Sequence, residues 1–346
     1  MVIDAPAAGP PTGPLAVPAP PPASRPRRRH PVARAFGAII GWLSAALAAL
    51  GLVAHFLDTT HQSLIVLAAG AWVLAPFSIV ALGLHLWRRG WFAVIAVVLL
   101  VAGQTAVYAP LFVADAVPAS PAATIKVLTQ NLLYGQAKAS RLIQRVKAQQ
   151  VDVLAVQELT QESADALRAG GLDKLLPYSV LDPRPKSPGT GIWSRYPIAD
   201  TQRLAATRSM AGVVATITLP GNAKLTALSL HPSAPFPQDP ADWYSDLDQI
   251  RDLLLSLPAG RVIAAGDFNS TLDHARFRRL LVDGWHDGAE QAGAGVIRSW
   301  PSNLAVPALV GIDHVLTRGP VVTNATTVAT PGSDHLGLLT TVVVPR

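Results

Sequence analysis

The chain has 346 residues, of which 50% are hydrophobic and only 14% charged, and it has no cysteine. Disulfides and cysteine-ligated zinc or iron–sulfur sites are therefore excluded. A mean hydropathy of +0.33, with little more than half the charge of an average soluble domain, must be the average of two unlike parts. The net charge of +6 invites a nucleic-acid reading. However, seven of the 28 basic residues and only three of the 22 acidic ones precede residue 122, so the rest of the chain is nearly balanced.

Residues 1–34 are rich in Pro and Ala, lack apolar periodicity and carry the arginines Arg25, Arg27, Arg28, Arg29 and Arg34. They are expected to form a disordered tail. Residues 35–113 hold three apolar runs, Ala35 to Phe56, Leu64 to Trp87 and Trp91 to Val113, each without Asp, Glu, Lys or Arg. At about 1.5 Å per residue, roughly 20 residues cross the hydrocarbon core, and a helix satisfies its own backbone there. The sequence predicts three transmembrane helices. The first run also has the arginines and Ala-rich end of a signal peptide, but its length and the two runs after it favour retention. Pro76 is expected to kink its helix. His55 and His85, near span ends, read as interfacial imidazoles.

Orientation follows from Lys/Arg asymmetry. The arginine-rich tail and the loop Arg88–Gly90 belong inside, and the uncharged-by-base loop Leu57–Ser63 outside. Three spans then place everything after Val113 outside the cytoplasm. The lack of cysteine is compatible with an oxidising compartment. Residues 114–123 read as a Pro/Ala linker.

From residue 124 to 346 charges return and apolar runs shorten, enough chain for one buried core. Strands are predicted at Thr124–Leu133, Val151–Leu159, Gly191–Arg195, Gly212–Leu219, Lys224–His231, Arg261–Asn269, Val310–Thr317 and Leu338–Val344. Helices are predicted at Ala137–Gln150 and Pro240–Leu257, the latter capped by Asp239. Strands outnumber helices and several adjacent ones look like hairpins. An α/β sandwich of two mixed sheets with outer helices fits better than a Rossmann fold.

Several of these strands end in polar residues: Gln130-Asn131, Gln157-Glu158, His231, Asp267-Phe268-Asn269 and Asp313-His314. Ser333-Asp334-His335 precedes the last strand. Buried strands delivering carboxylates, amides and imidazoles to one edge suit metal-assisted phosphoryl chemistry: hard oxygens hold Mg²⁺ or Mn²⁺, an imidazole moves protons, and donors stabilise charge on phosphate. His314 should point to the opposite strand face from Asp313 and reads as a packing or surface residue. His274 and His286 read as surface or helix residues, and Asp273 as a helix cap. Trp300-Pro301 either packs or lines the pocket mouth.

The ordered stretches LTQNLLYG, VDVLAVQEL, GTGIWSRYPI, LSLHPSAP, AAGDFNSTLDH, GIDHVL and GSDHLGLL resemble the endonuclease/exonuclease/phosphatase family of metal-dependent phosphohydrolases. The resemblance implies a four-layered α/β sandwich. It implies metal binding by Glu158, Asn131 and Asp334. It implies a catalytic His335 oriented by Asp313, with Asp267 and Asn269 positioning water and contacting phosphate. His231 takes the place of a phosphate-contacting donor. Two features depart from the commonest pattern. Leu336-Gly337 replaces the proline usual after SDH, and His231 stands where the DNA-repair branch often has Tyr.

With every expected position filled, a dead pseudoenzyme is disfavoured. The first expectation is a membrane-anchored phosphatase or phosphodiesterase acting on a lipid-linked phosphate, a polyprenyl pyrophosphate or a phospholipid head group. The ten-residue linker keeps the site within a few tens of Å of the headgroups. The three-span layout also resembles the family's bacterial membrane proteins linked to glycopeptide-antibiotic resistance (VanJ-like). The alternative is an extracytoplasmic deoxyribonuclease using Arg276, Arg278 and Arg279 as a basic face, although such a cluster is usually a solvated helix face. A third reading is a membrane scaffold or sensor that binds a phosphorylated ligand without turnover. Nothing in the sequence names a protein partner.

Overall fold

The computed structural model describes residues 1, 2, 9, 13, 31–204 and 211–346. The expected disordered tail lies, up to residue 30, almost wholly outside the described residues. Pro31 opens the first helix instead of belonging to a tail: α1 runs Pro31–Phe56, with proline in the first turn, where its missing N–H costs nothing. Then come α2 (Gln62–Ala69), α3 (Ala71–Leu74), α4 (Phe77–Arg88) and α5 (Trp91–Tyr108).

Three of these stretches are long and apolar enough to cross a membrane: Val32–Phe56, Ala71–Arg88 and Trp91–Phe112. The second apolar run is therefore not one span. Gly70 and Pro76 interrupt it, the proline because it lacks an N–H and crowds the preceding turn. Helix α2 leaves the bundle and packs on the later domain: Ile65 is buried with Trp243, Phe268, Phe277 and Trp285. Small residues let the spans approach closely. Ala45, Ala81 and Val97 form their contact. A Cβ at Gly41 would lie 2.7 Å from His85 Nε2. His85 is thus fully buried against a glycine notch near the end of its helix. Arg34 donates to the Arg88 carbonyl at 2.8 Å, at the end of the bundle remote from the rest of the chain.

The segment after α5 is pinned rather than free. Gly295 N–H donates to Leu111 O, and Asp115 N–H to Gln291 O, at 2.7 and 2.8 Å.

The remaining chain builds two sheets in sequence. Strands β1 (Pro121–Asn131), β2 (Val153–Gln157), β3 (Tyr178–Asp182) and β4 (Thr190–Ser194) start the first. Strands β5 (Ile198–Arg203), β6 (Ala211–Thr218), β7 (Lys224–His231), β8 (Val262–Asp267), β9 (Trp285–Asp287) and β10 (Asp313–Arg318) form the second. β11 (Val321–Ala329) and β12 (Leu336–Pro345) return to the first. The strand orders are β11-β12-β1-β2-β4-β3 and β5-β6-β7-β8-β10-β9. Both sheets are mixed: β1–β2 and β7–β8 are parallel, and their other pairings antiparallel.

Alternate residues of the strands face inward. Val127, Ala155, Ile192, Ala215, Ala227 and Val315 belong to the core between the sheets. Helices α6 (Ala139–Gln149) and α7 (Gln161–Ala169) cover the outer face of the first sheet. Helices α8 (Pro240–Ser256) and α9 (Ala275–Arg278) cover the second, and α10 (Gly288–Gln291) follows β9. This is the four-layered sandwich of two mixed sheets flanked by helices, preceded by three candidate membrane helices. The parallel pairs set β1 beside β2 and β7 beside β8 with their carboxyl ends at one edge, which brings Asn131, Glu158, His231 and Asp267 to one place.

Candidate active site

Strands β1, β2 and β8 turn sharply as they leave that edge. Glu158 has φ +56°, Asn269 +48°, Leu133 +48° and Tyr134 +51°. Left-handed conformations cost a non-glycine residue roughly 1–2 kcal/mol, and such strain concentrates where side chains must be aimed. Gly266, before Asp267, has another reason to be glycine: a Cβ there would sit 2.0 Å from the Leu230 carbonyl oxygen.

Seven of the eight sequence-predicted side chains converge directly, and the eighth, Asp313, holds one of them. The Asn131 amide donates to Glu158 Oε1 at 3.1 Å and to Asp267 Oδ2 at 2.9 Å. Its oxygen accepts from Leu133 N–H at 2.8 Å. Asn131 therefore turns its nitrogen, not its oxygen, to the carboxylates. It ties the two carboxylates together. The Tyr134 N–H donates to Glu158 Oε2 at 2.7 Å. The same carboxylate, with burial and Asp334, raises the pKa of the Tyr134 phenol.

His335 Nδ1 donates to Asp313 Oδ2 at 2.8 Å. Its Nε2 lies 3.5 Å from Asp267 Oδ2 and 3.9 Å from Asp334 Oδ1. Burial opposes a charge on this ring, but Asp313 and Asp267 outweigh it and push the imidazole up to about 10. His231 Nδ1 donates to the Ser187 carbonyl at 3.2 Å. Its Nε2 lies 3.7 Å from Asp267 Oδ2 and 3.9 Å from Glu158 Oε1. Asn269 Nδ2 lies 3.4 Å from that same Nε2, and its backbone N–H binds Asp267 Oδ1 at 2.8 Å.

Loops remote in sequence hold these groups. Ser333 Oγ donates to the Asn131 carbonyl and accepts from His335 N–H, at 2.7 and 3.0 Å. Trp300 Nε1 donates to Asp334 Oδ2 at 3.1 Å, so the tryptophan lines the pocket mouth. Ser299 Oγ accepts from Asp313 N–H at 3.3 Å. Tyr134, Ser187 and Ser299 were not singled out from sequence. Tyr134 lay inside a motif already noticed, but only the fold connects the serines to the site.

The donor set suits a hard divalent cation. The ligand atoms of Asp267, Asp313 and His335 lie within 4.8 Å of one another. The buried oxygen Asp334 Oδ1 has no hydrogen-bond partner, as a carboxylate left for a cation would.

Several flanking expectations change. His274 is buried, not on the surface: its Nε2 donates to Ile65 O at 2.9 Å. Asp273 does not cap α9, whose cap residue is His274. Its carboxylate instead accepts from His55 Nδ1 at 2.8 Å and Tyr108 Oη at 3.0 Å, so His55 is a buried hydrogen-bond partner of the catalytic domain. His314 is a packing residue, bonded to Asp287 Oδ2 and Ser270 O at 2.6 and 2.8 Å, whereas His286 is exposed. The arginines read as a basic face are occupied. Arg276 pairs with Asp248 and Asp58, and Arg279 with Asp58. Arg278 donates to the His55 and Leu272 carbonyls. They fasten the loop after α1 to the domain.

Below the polar cluster opens a cavity of about 740 Å³. Glu158, Asp267 and His335 line one end, and Ile65, Gly70 and Val73 of α2 and α3 line another.

Residues 128–335 match the Endonuclease/Exonuclease/phosphatase family, and the chain belongs to that family. Its members are hydrolases acting on phosphoesters. No curated protein matches the chain. Among solved structures, TDP2 from D. rerio complexed with single strand DNA product is 19% identical, with a TM-score of 0.54 over 64% of this chain and 99% of that one. The endonuclease/exonuclease/phosphatase from Bacteroides vulgatus is 18% identical, with a TM-score of 0.54 over 64% and 99%. The human Nocturnin catalytic domain with bound sulfate is 15% identical, with a TM-score of 0.50 over 64% and 94%. At these identities the likeness concerns the fold.

Proposed function

We propose that this protein is a membrane-anchored, metal-dependent phosphoesterase that hydrolyses a lipid-linked phosphate ester or anhydride on the extracytoplasmic side of a bacterial cell membrane. One observation carries the reading: a single cavity joins the carboxylate–imidazole cluster to the wall made by α2 and α3. A water-soluble substrate needs no such wall. The orientation is supported by Arg34, Arg88 and Arg89, which gather at the far end of the spans, as the positive-inside rule requires of a cytoplasmic face. The three-span layout supports the VanJ-like bacterial branch of the family. In this reading residues 1–34 are the cytoplasmic tail, 35–113 the membrane part, 114–123 the junction and 124–346 the catalytic domain.

Glu158, Asp267 and Asp334 are the residues that would hold Mg²⁺ or Mn²⁺, which when bound supplies positive charge to a phosphoryl oxygen. Asn131 fixes the spacing of Glu158 and Asp267. Asp313 holds one nitrogen of His335, so Nε2 is the atom through which this ring exchanges a proton with water or phosphate. Asp267, oriented by the Asn269 N–H, is the carboxylate placed to align the attacking water. The Asn269 amide is a donor for a phosphoryl oxygen, and His231, whose Nδ1 is held by the Ser187 carbonyl, joins it through Nε2 when the ring carries a second proton.

The test is phosphate or headgroup release by the detergent-solubilised full chain with Mg²⁺, offered polyprenyl pyrophosphate, phosphatidyl lipids, nucleotides and plasmid DNA. Lipid hydrolysis that disappears in His335→Ala supports the reading. Sparing of every lipid together with cutting of DNA overturns it.

A further inference from the structure

The cavity's apolar end is a binding site in its own right. Helix α2 stops at Gly70 and α3 starts at Ala71, and both Gly70 and Val73 line the cavity. The glycine is not demanded by its backbone, since φ is −99°. Nor is it demanded by packing, since an added Cβ would meet nothing nearer than Leu67 O at 3.9 Å. The absence of a side chain instead leaves a notch one residue wide in the wall. Val66 and Val73 flank it and remain about half exposed. Leu309 and Phe236, both well exposed, also line the cavity, and Leu309 is held to the wall by Trp72, whose Nε1 donates to its carbonyl at 3.1 Å. Large apolar side chains around an open notch are costly beside water. The candidate span begins at Ala71, the residue after the notch.

The geometry points to a single-chain hydrocarbon subsite over Gly70, with the phosphate at Glu158 and His335 and one polyprenyl-type chain running along α2 and α3 into the bilayer. This rests on the lipid-linked reading above. The notch is one glycine wide, between Val66 and Val73, which suits one chain rather than two. The second span is then part of the substrate site, and it selects substrates by what the phosphate is attached to.

The experiment uses the full chain in detergent with Mg²⁺ and two pyrophosphates sharing one headgroup, a long polyprenyl pyrophosphate and five-carbon isopentenyl pyrophosphate. Gly70→Leu and, separately, Val73→Trp fill the notch from two positions. The expected result for both is a KM at least tenfold higher on the long chain, with kcat and KM on the short one within about twofold. Equal losses on both substrates, or no change on the long one, overturn the subsite while leaving the lipid reading standing. Wild-type protein that hydrolyses neither pyrophosphate nor any phosphatidyl lipid overturns both. Diacyl phosphatidate cleaved with the same KM shift as the polyprenyl substrate overturns the single-chain assignment.

Discussion

Replacing His274 removes a buried polar link between helix α2 and the core of the catalytic domain, and its effect depends on pH in a calculable way. The ring is buried, its Nδ1 accepts from Thr271 N–H at 2.9 Å and its Nε2 donates to Ile65 O at 2.9 Å. Both bonds require the neutral ring protonated on Nε2. Burial first, with Arg278 and His314 beside it and Asp273 and the Ile65 carbonyl opposing, lowers its pKa from 6.5 to about 4. The unfolded chain takes up a proton below about 6.5, and the folded chain only near 4. Stability is therefore fully present above pH 6.5 and is lost as the pH falls through that window. At about 1.4 kcal/mol per pH unit the loss reaches about 3 kcal/mol. Melting of the detergent-solubilised full chain should then show wild type exceeding His274→Gln most at pH 7. That margin should shrink by roughly 6–12 °C at pH 4, given about 2–4 °C per kcal/mol. Comparing the two proteins cancels the titration of groups they share. A margin that stays constant with pH refutes the neutral, buried ring.

Asp313→Asn should leave His335 in place but without its anionic partner, lowering kcat by at least about 100-fold with little change in KM, read in steady-state kinetics. Glu158→Gln should weaken Mg²⁺ binding at least about tenfold in calorimetry. Equal affinity would remove Glu158 from the metal set. Asp58→Asn should release Arg279 and weaken the contacts to Arg276 and Tyr244, raising hydrogen exchange in residues 57–61 without altering the strand cores. Gly266→Ala should give little folded protein by circular dichroism, because its Cβ collides with backbone at 2.0 Å.

Legibility in the sequence followed locality. Strand β7 occupies the residues its alternation and polar end predicted, and Asp239 caps α8 through Ala241 N–H. Strand β5 was missed because IADTQR is an exposed edge with almost no apolar pattern. Strand β9 has three residues and β3 is an edge. Helix α7 was missed because its capping box uses Ser163 where Glu or Gln is usual. The site residues stood out because buried apolar strands do not ordinarily finish in carboxylate and imidazole.

The high hydrophobicity and low charge, resolved along the chain, by themselves determined three membrane-grade helices followed by a charged α/β domain, because length and the cost of unpaired backbone in lipid act locally. Motif order was enough to assign the phosphohydrolase family. Only the tertiary structure decided what the two parts do to each other. Asp273, Arg276 and Arg279 read as a cap and a solvated face because their partners, His55 and Asp58, lie more than 200 residues away. Gly70 read as part of a continuous span until the fold set it in one cavity with Glu158 and His335. Side-chain chemistry is written in the sequence, but which groups share a low-dielectric space depends on chain crossings that no local pattern encodes.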